Sequence, residues 1–343
     1  MEGTGAFGHT SIDRETTVIG YPRKHPSESS KLRLRNHISS TSEMIDSSTE
    51  HSSDEFLDID RTSPEETFSA LANEIRIETL LTMMRHPDAT YSFSELYAAV
   101  DVDDPGQFNY HLDQLVGHFI HKTGDGYQLS HAGKDIVGAI YGGTYTADAS
   151  IDHIPLGDIC ITCGGSLYLE YANEASRIRC EDCDRKSDSY PFPPQSLDQF
   201  NRHDLADTIG KWMDHYIRGL TAGFCPYCIG HIAGALRLDE DERLAGFPAY
   251  AEFTCDRCGI SHKTPVTAPV HTHPIFRHFL VVHGLDIHTP IWWVLDTIGR
   301  PDTELLSTDP PRLLVTVSYQ EDELTAIVDE TATVATIEWE VNG

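Results

Sequence analysis

Eight cysteines fall in four CxxC pairs, Cys160/Cys163, Cys180/Cys183, Cys225/Cys228 and Cys255/Cys258, and none is left over. Two thiolates two residues apart reach one metal ion from a single tight knuckle. Two knuckles complete the tetrahedral four-sulfur set that zinc takes at about 2.3 Å. Sixteen residues separate the first two knuckles and 26 the second two. The shorter spacing is that of a β-hairpin: residues 166–171 alternate and residues 177–179 return to Cys180. Residues 231–238 and 249–254 are the candidate strands of the second, around an acidic loop at 239–242. Pairing in chain order closes each loop locally, at lower entropic cost than cross-bracing. Two structural zinc ions are therefore expected, one on Cys160, Cys163, Cys180 and Cys183 and one on Cys225, Cys228, Cys255 and Cys258. Iron–sulfur ligation, disulfides and a redox CxxC are the alternatives.

A chain of 343 residues is long enough for two or three domains. No run of about 18 apolar residues occurs, so no membrane span or membrane partner is expected. Residues 1–20 hold no apolar stretch beside a basic start, so no signal peptide is read there. The expected compartment is the cytoplasm, where thiols stay reduced, and this argues against disulfides. A redox role explains one CxxC better than four in complementary pairs, and the even hairpin spacing favours zinc over iron–sulfur.

Fifty-four acidic residues stand against 25 basic ones, of which 7 are Lys and 18 Arg. This Lys-poor, acidic composition resembles the salt-adapted proteins of halophilic archaea. At molar salt the Debye length falls to roughly 3 Å and the self-repulsion is screened. Residues 1–43 stand apart, with six basic and five acidic residues, a net of +1. The Ser-rich stretch 1–62 is expected to be a disordered tail; alternatively translation begins at Met44.

From Ser63 the pattern becomes periodic. Ser63-Pro64-Glu65-Glu66 opens a helix, with Ser at the cap and Pro at the first helical position. Phe68, Leu71, Ile75, Leu80, Leu81 and Met84 continue over two short helices broken near Asn73. Tyr91-Ser92-Phe93-Ser94 leads into a third helix and Asp103-Asp104-Pro105 into a fourth, with Phe108, Leu112, Leu115 and Val116 as its core positions. A hairpin follows, 119–122 and 127–129, turned by Thr123-Gly124-Asp125-Gly126; Ser130 caps a last helix that stops at Gly142-Gly143.

That order is winged-helix. Residues 68–81, FSALANEIRIETLL, resemble the opening of ArsR-type winged-helix regulators, and FSEL at 93–96 followed by FNYHLDQL at 108–115 is similar to their helix-turn-helix. The likeness covers 63–145, about a quarter of the chain. It implies a DNA-binding transcriptional regulator whose fourth helix enters the major groove of double-stranded DNA, with a homodimer through this domain. Gln107, Asn109, Tyr110, His111 and Gln114 are the candidate contacts on that helix, and Lys122 on the wing the candidate phosphate contact. Residues 62–146 hold four basic and twelve acidic residues, a net of −8, which opposes DNA binding unless salt screens it. The alternative comes from that charge: winged helix plus zinc ribbon also looks like archaeal transcription factor E, whose parts contact the transcription machinery.

Residues 198–220 read as a helix joining the ribbons. His271, His273, His278, His283 and His288 suggest either a second metal or the edges of a buried helix, the latter favoured because no HExxH-type pair is present. Residues 291–295, IWWVL, read as core or pocket wall, and 312–339 as a two- or three-stranded antiparallel sheet. No nucleotide-binding loop, GxSxG or paired catalytic carboxylate occurs, so no enzyme is expected. The predicted class is α+β: a winged helix-turn-helix at 63–146, a four-cysteine zinc ribbon at 155–195, a linking helix at 196–222, a second ribbon at 223–268, and a helix plus antiparallel sheet at 269–343.

Overall fold

The computed structural model describes residues 62–160, 163–183, 189–238, 247–288 and 298–340. The N-terminal stretch, the acidic loop at 239–242 and the tryptophans at 292–293 lie outside them. Mixed α and β structure with antiparallel sheets runs through the described chain, and among the described residues no helix is long and apolar enough to cross a membrane.

The first unit is built from capped short helices. Ser63 accepts from the Glu66 amide to start α1 (Pro64–Ser69), and Asn73 accepts from Ile75 to restart the chain as α2 (Glu74–Met84). Ser92 and Glu95 form a reciprocal capping box at α3 (Phe93–Ala99), and Asp104 caps α4 (Pro105–Leu115). The hairpin β1 (Ile120–Thr123) and β2 (Gly126–Leu129) and a last helix α5 (His131–Tyr141), capped by Ser130, complete it. Leu80, Met83, Leu96, Phe108, Leu112, Leu115, Ile120 and Val137 form its core. Phe68 and Tyr141 are exposed instead.

A four-stranded antiparallel sheet follows in the order β3 (Ile151–Ile159), β4 (Ser166–Ala172), β5 (Ala175–Cys180), β6 (Tyr190–Pro191). The expected helix over 198–220 is shorter than read. A 3-10 turn at Pro194–Gln199 comes first, Phe200 is extended, and α6 spans Leu205–Thr221. Asn201 and Asp204 bond each other through backbone and side chain, a local alternative that keeps the helix from starting earlier. One face of α6, carrying Leu205, Ile209, Met213, Tyr216, Ile217 and Leu220, is buried between the two cysteine hairpins.

The second hairpin is a three-stranded sheet, β7 (Ile232–Leu238), β8 (Ala249–Cys255) and β9 (Ser261–Pro265). Two helices, α7 (Ala268–Thr272) and α8 (Pro274–Val282), lead to a sheet of four strands rather than two or three: β10 (Asp302–Thr308), β11 (Pro311–Tyr319), β12 (Asp322–Val328) and β13 (Val334–Glu340). Its inner face packs Val315, Val317, Leu324 and Trp339 against Phe276, Phe279 and Leu280 of α8.

Candidate metal centres and the helix surface

Each four-cysteine set converges as the spacing predicts. Cys160, Cys163, Cys180 and Cys183 form one cluster and Cys225, Cys228, Cys255 and Cys258 the other, each with its sulfurs within 4.8 Å of one another. The knuckles explain why. In the second set the Ile229 amide bonds the Cys225 carbonyl and the Cys225 amide bonds Gly230, while Gly259 and Ile260 close the same turn around Cys255. The residue after the second cysteine must then take positive φ: Gly164 at +76°, Gly259 at +73°, and, without a glycine, Ile229 at +55°.

Sulfur separations test the ion. Cys160 and Cys183 lie 3.8 Å apart, Cys163 and Cys180 3.4 Å, Cys225 and Cys258 3.7 Å, and Cys228 and Cys255 3.5 Å. A disulfide needs about 2.05 Å. Four thiolates around one ion at about 2.3 Å stand about 3.8 Å apart. A four-iron cluster puts each thiolate on a different iron and spreads them farther. The arrangement therefore fits one tetrahedral ion per site and is compatible with two zinc sites. The amides of Cys258 and Arg257 hold the Cys255 thiol below its usual range, while Cys228 and Cys258 are pushed up by burial and by the neighbouring sulfurs that share their protons, so without an ion the thiolate is concentrated on Cys255.

Of the residues expected to face DNA, Gln107, Asn109, Tyr110 and Gln114 are exposed on α4 and Lys122 is exposed on β1. Asn109 donates to Asp113 within the helix at 2.9 Å, and the Lys122 ammonium lies over the Tyr127 ring at 5.4 Å. His111 departs from expectation. It is buried with Phe108, Leu112 and Leu115 on the inner face of α4, its Nδ1 is unpartnered, and burial and the nearby Arg76 lower its pKa. It packs the core and does not reach outward.

The later histidines do not converge on a metal: among the described residues the cysteine sets are the only groups of three or more that could hold an ion. His271 is buried, His273 caps α8, and His283 is held by the Phe279 carbonyl and Asp322. Sequence reasoning missed Arg277, buried on α8 and paired with Asp214 of α6 while its other nitrogen donates to the Ile287 carbonyl. A lone Arg amid apolar residues was the available signal.

Residues 157–334, just over half of the chain, match the family described as a domain of unknown function, DUF7351, and residues 64–140 match a second one, DUF7347. No curated protein and no solved structure matches the chain.

Proposed function

The chain belongs to the DUF7351 family, whose matched span holds both cysteine sets, and we propose that this span is the zinc-stabilised sensing or oligomerisation part of a DNA-binding transcriptional regulator. The reader is the helical unit ahead of it, taken as a winged helix-turn-helix of ArsR type. One observation carries this reading: Gln107, Tyr110 and Gln114 recur at i, i+3 and i+7 on the exposed face of α4, beside a two-stranded hairpin bearing Lys122. Amides and a phenol in such a row suit base edges, and the lysine suits a phosphate. Exposed Phe68 and Tyr141 on α1 and α5 support a homodimer through the same unit. Zinc fills each cysteine set and supplies folding free energy, and the work is done in the cytoplasm.

The net charge of −8 over residues 62–146 favours a second reading, a module that contacts the transcription machinery. Salt distinguishes the two. A basic domain releases cations on binding DNA and weakens as salt rises. Here twelve carboxylates approach the phosphates with four basic residues to offset them, so cations are taken up. Affinity of the zinc-loaded chain for its operator should stay flat or rise between roughly 0.5 and 2 M KCl, where screening is nearly complete. Tyr110→Ala and Gln114→Ala should each reduce sequence preference by about 1 to 3 kcal/mol, and Lys122→Ala should weaken all sequences alike. A chain that binds no DNA at any salt yet co-purifies with RNA polymerase would move the assignment to the second reading.

A further inference from the structure

Between the two cysteine hairpins lies a half-open cleft of about 870 Å³. Its floor is α6, which presents Trp212, Tyr216 and Gly219 at near-helical spacing. One wall is the second hairpin's first knuckle, with Phe224, Tyr227 and Ile229; the other is the edge of the first hairpin, from Glu174 to Phe192. Volumes of this size are typical of small-molecule sites.

Two of the rings have their polar atoms engaged. The Trp212 Nε1 donates to the Pro191 carbonyl at 2.6 Å, and the Tyr216 hydroxyl lies 3.2 Å from the His262 ring nitrogens. Tyr227 stacks parallel to His262 with its own ring 57% exposed. Ile229 is more telling. It is β-branched, sits in the left-handed region where the equivalent positions of two other knuckles carry glycine, and is 69% exposed. Such a residue is strained there relative to glycine, and with most of its side chain in solvent it gains little from packing in return.

Charge selects the occupant. Among the described residues no Lys or Arg lines the cleft and the one carboxylate is Glu174, and the chain carries −29. An anion or a nucleic-acid strand would meet no cation among the described lining residues. An ammonium bearing N–H groups would have to find its acceptors off the aromatic faces, at Glu174 and polar residues such as Asn173 and Ser261. A quaternary ammonium has no N–H to satisfy, sheds its hydration at little cost, and is attracted to aromatic faces.

We propose that this cleft binds a small quaternary-ammonium cation, held against Trp212 and Tyr227 with Ile229 closing the rim. The site stands independently of whether the N-terminal unit reads DNA. Choline and its neutral isostere 3,3-dimethylbutan-1-ol, titrated calorimetrically into the zinc-loaded full chain in KCl, provide the test. Choline should bind saturably at one site and the isostere at least about tenfold more weakly, the step expected of a cation–aromatic contact. Ile229→Gly relaxes the backbone, so it should leave thermal unfolding unchanged or raised while weakening choline severalfold. Gly219→Leu should abolish binding by filling the floor, where an added Cβ meets nothing nearer than the Phe224 carbonyl at 3.9 Å. Absence of choline binding, equal binding of the isostere, or affinity untouched in both variants would each overturn the proposal.

Discussion

The two cysteine hairpins share a four-cysteine set and differ in where that set points. In the second, Cys225 and Cys255 belong to the same core as Ile209, Met213, Leu220 and Phe253, and the hairpin reaches on into the C-terminal sheet through the Leu236 amide and Glu330 carbonyl. In the first, Cys160 and Cys180 are buried but stand outside that core; the hairpin enters it farther along, through Leu169, Tyr171, Tyr190 and Phe192, with the Tyr171 hydroxyl donating to the Phe192 carbonyl. The same chemistry is thus a keystone in one place and a clasp at the tip in the other. A structural ion contributes folding free energy according to what its ligands are packed into, as well as through the bonds themselves.

Removing one ligand from each site should expose that difference most strongly. Cys225→Ser should lose its metal, amide protection across β7–β9 and α6, and on the order of 5 kcal/mol or more of stability. Cys160→Ser should also retain one zinc of two, yet lose protection only at the tips of β3–β5. Metal analysis with hydrogen exchange reads both. Equal spread of deprotection from the two substitutions would end the comparison, and fewer than one zinc in the unmutated chain, or a brown iron chromophore, would end the zinc assignment.

A second break lies where α6 meets the C-terminal half. Asp214 and Arg277 form an ion pair with side chains 14% and 10% exposed, and Asp214 also holds Arg218 at 2.9 Å. Asp214→Ala leaves a buried guanidinium without its carboxylate and should cost about 3 kcal/mol, with protection lost first in α8. Asp214→Ala combined with Arg277→Met should recover most of that, because the unpaired charge is then gone. Chemical denaturation of the single and double variants checks it; a double variant as weak as the single would mean that the pair itself, and not the orphaned charge, is what matters.

What the sequence made legible was local. The knuckles, the caps at Ser63, Asp104 and Ser130, the break at Asn73, and the alternation of β4, β8, β11 and β12 all depend on residues within one or two turns of each other. Four strands escaped reading for separate physical reasons, β6 because its two residues are too few to show a period. β3 is interrupted by Pro155 and a positive φ at Gly157, with two register shifts. β9 buries polar His262 and Thr264, and β10 is largely exposed along its length, so neither shows an apolar alternation. His111 was misread on chemical type alone: positions 108, 111, 112 and 115 share one helical face, and spacing places it inward. The cleft was not legible at all, since its lining comes from residues 144 to 262 and meets only after both hairpins fold onto α6.

The smallest expected effect comes from His271, on the helix that joins the second hairpin to the C-terminal half. Its ring packs 5.1 Å from that of Phe276, its Nε2 has no hydrogen-bond partner, and burial, with Arg277 nearby, pulls its pKa down to about 3. The unfolded chain takes up that proton near pH 6.5, so between pH 6.5 and 3 the unfolded state holds more protons than the native one. Stability from the neutral ring is fully present above pH 6.5 and is lost as pH falls, by at most about 1.4 kcal/mol per unit. Acid also protonates the thiolates and releases metal, which would mask the effect in one protein studied alone. His271→Leu keeps an apolar group in the same space and removes the titration, while both proteins share the thiolate contribution. Denaturant unfolding of the two zinc-loaded chains at pH 7, 6 and 5 should therefore diverge, the unmutated chain losing about 1 to 2 kcal/mol more by pH 5. Hydrogen exchange at that pH should place the extra loosening in α7 and α8, on the second hairpin's side of the molecule. Parallel pH curves would show that the buried ring is not what couples that side to acid.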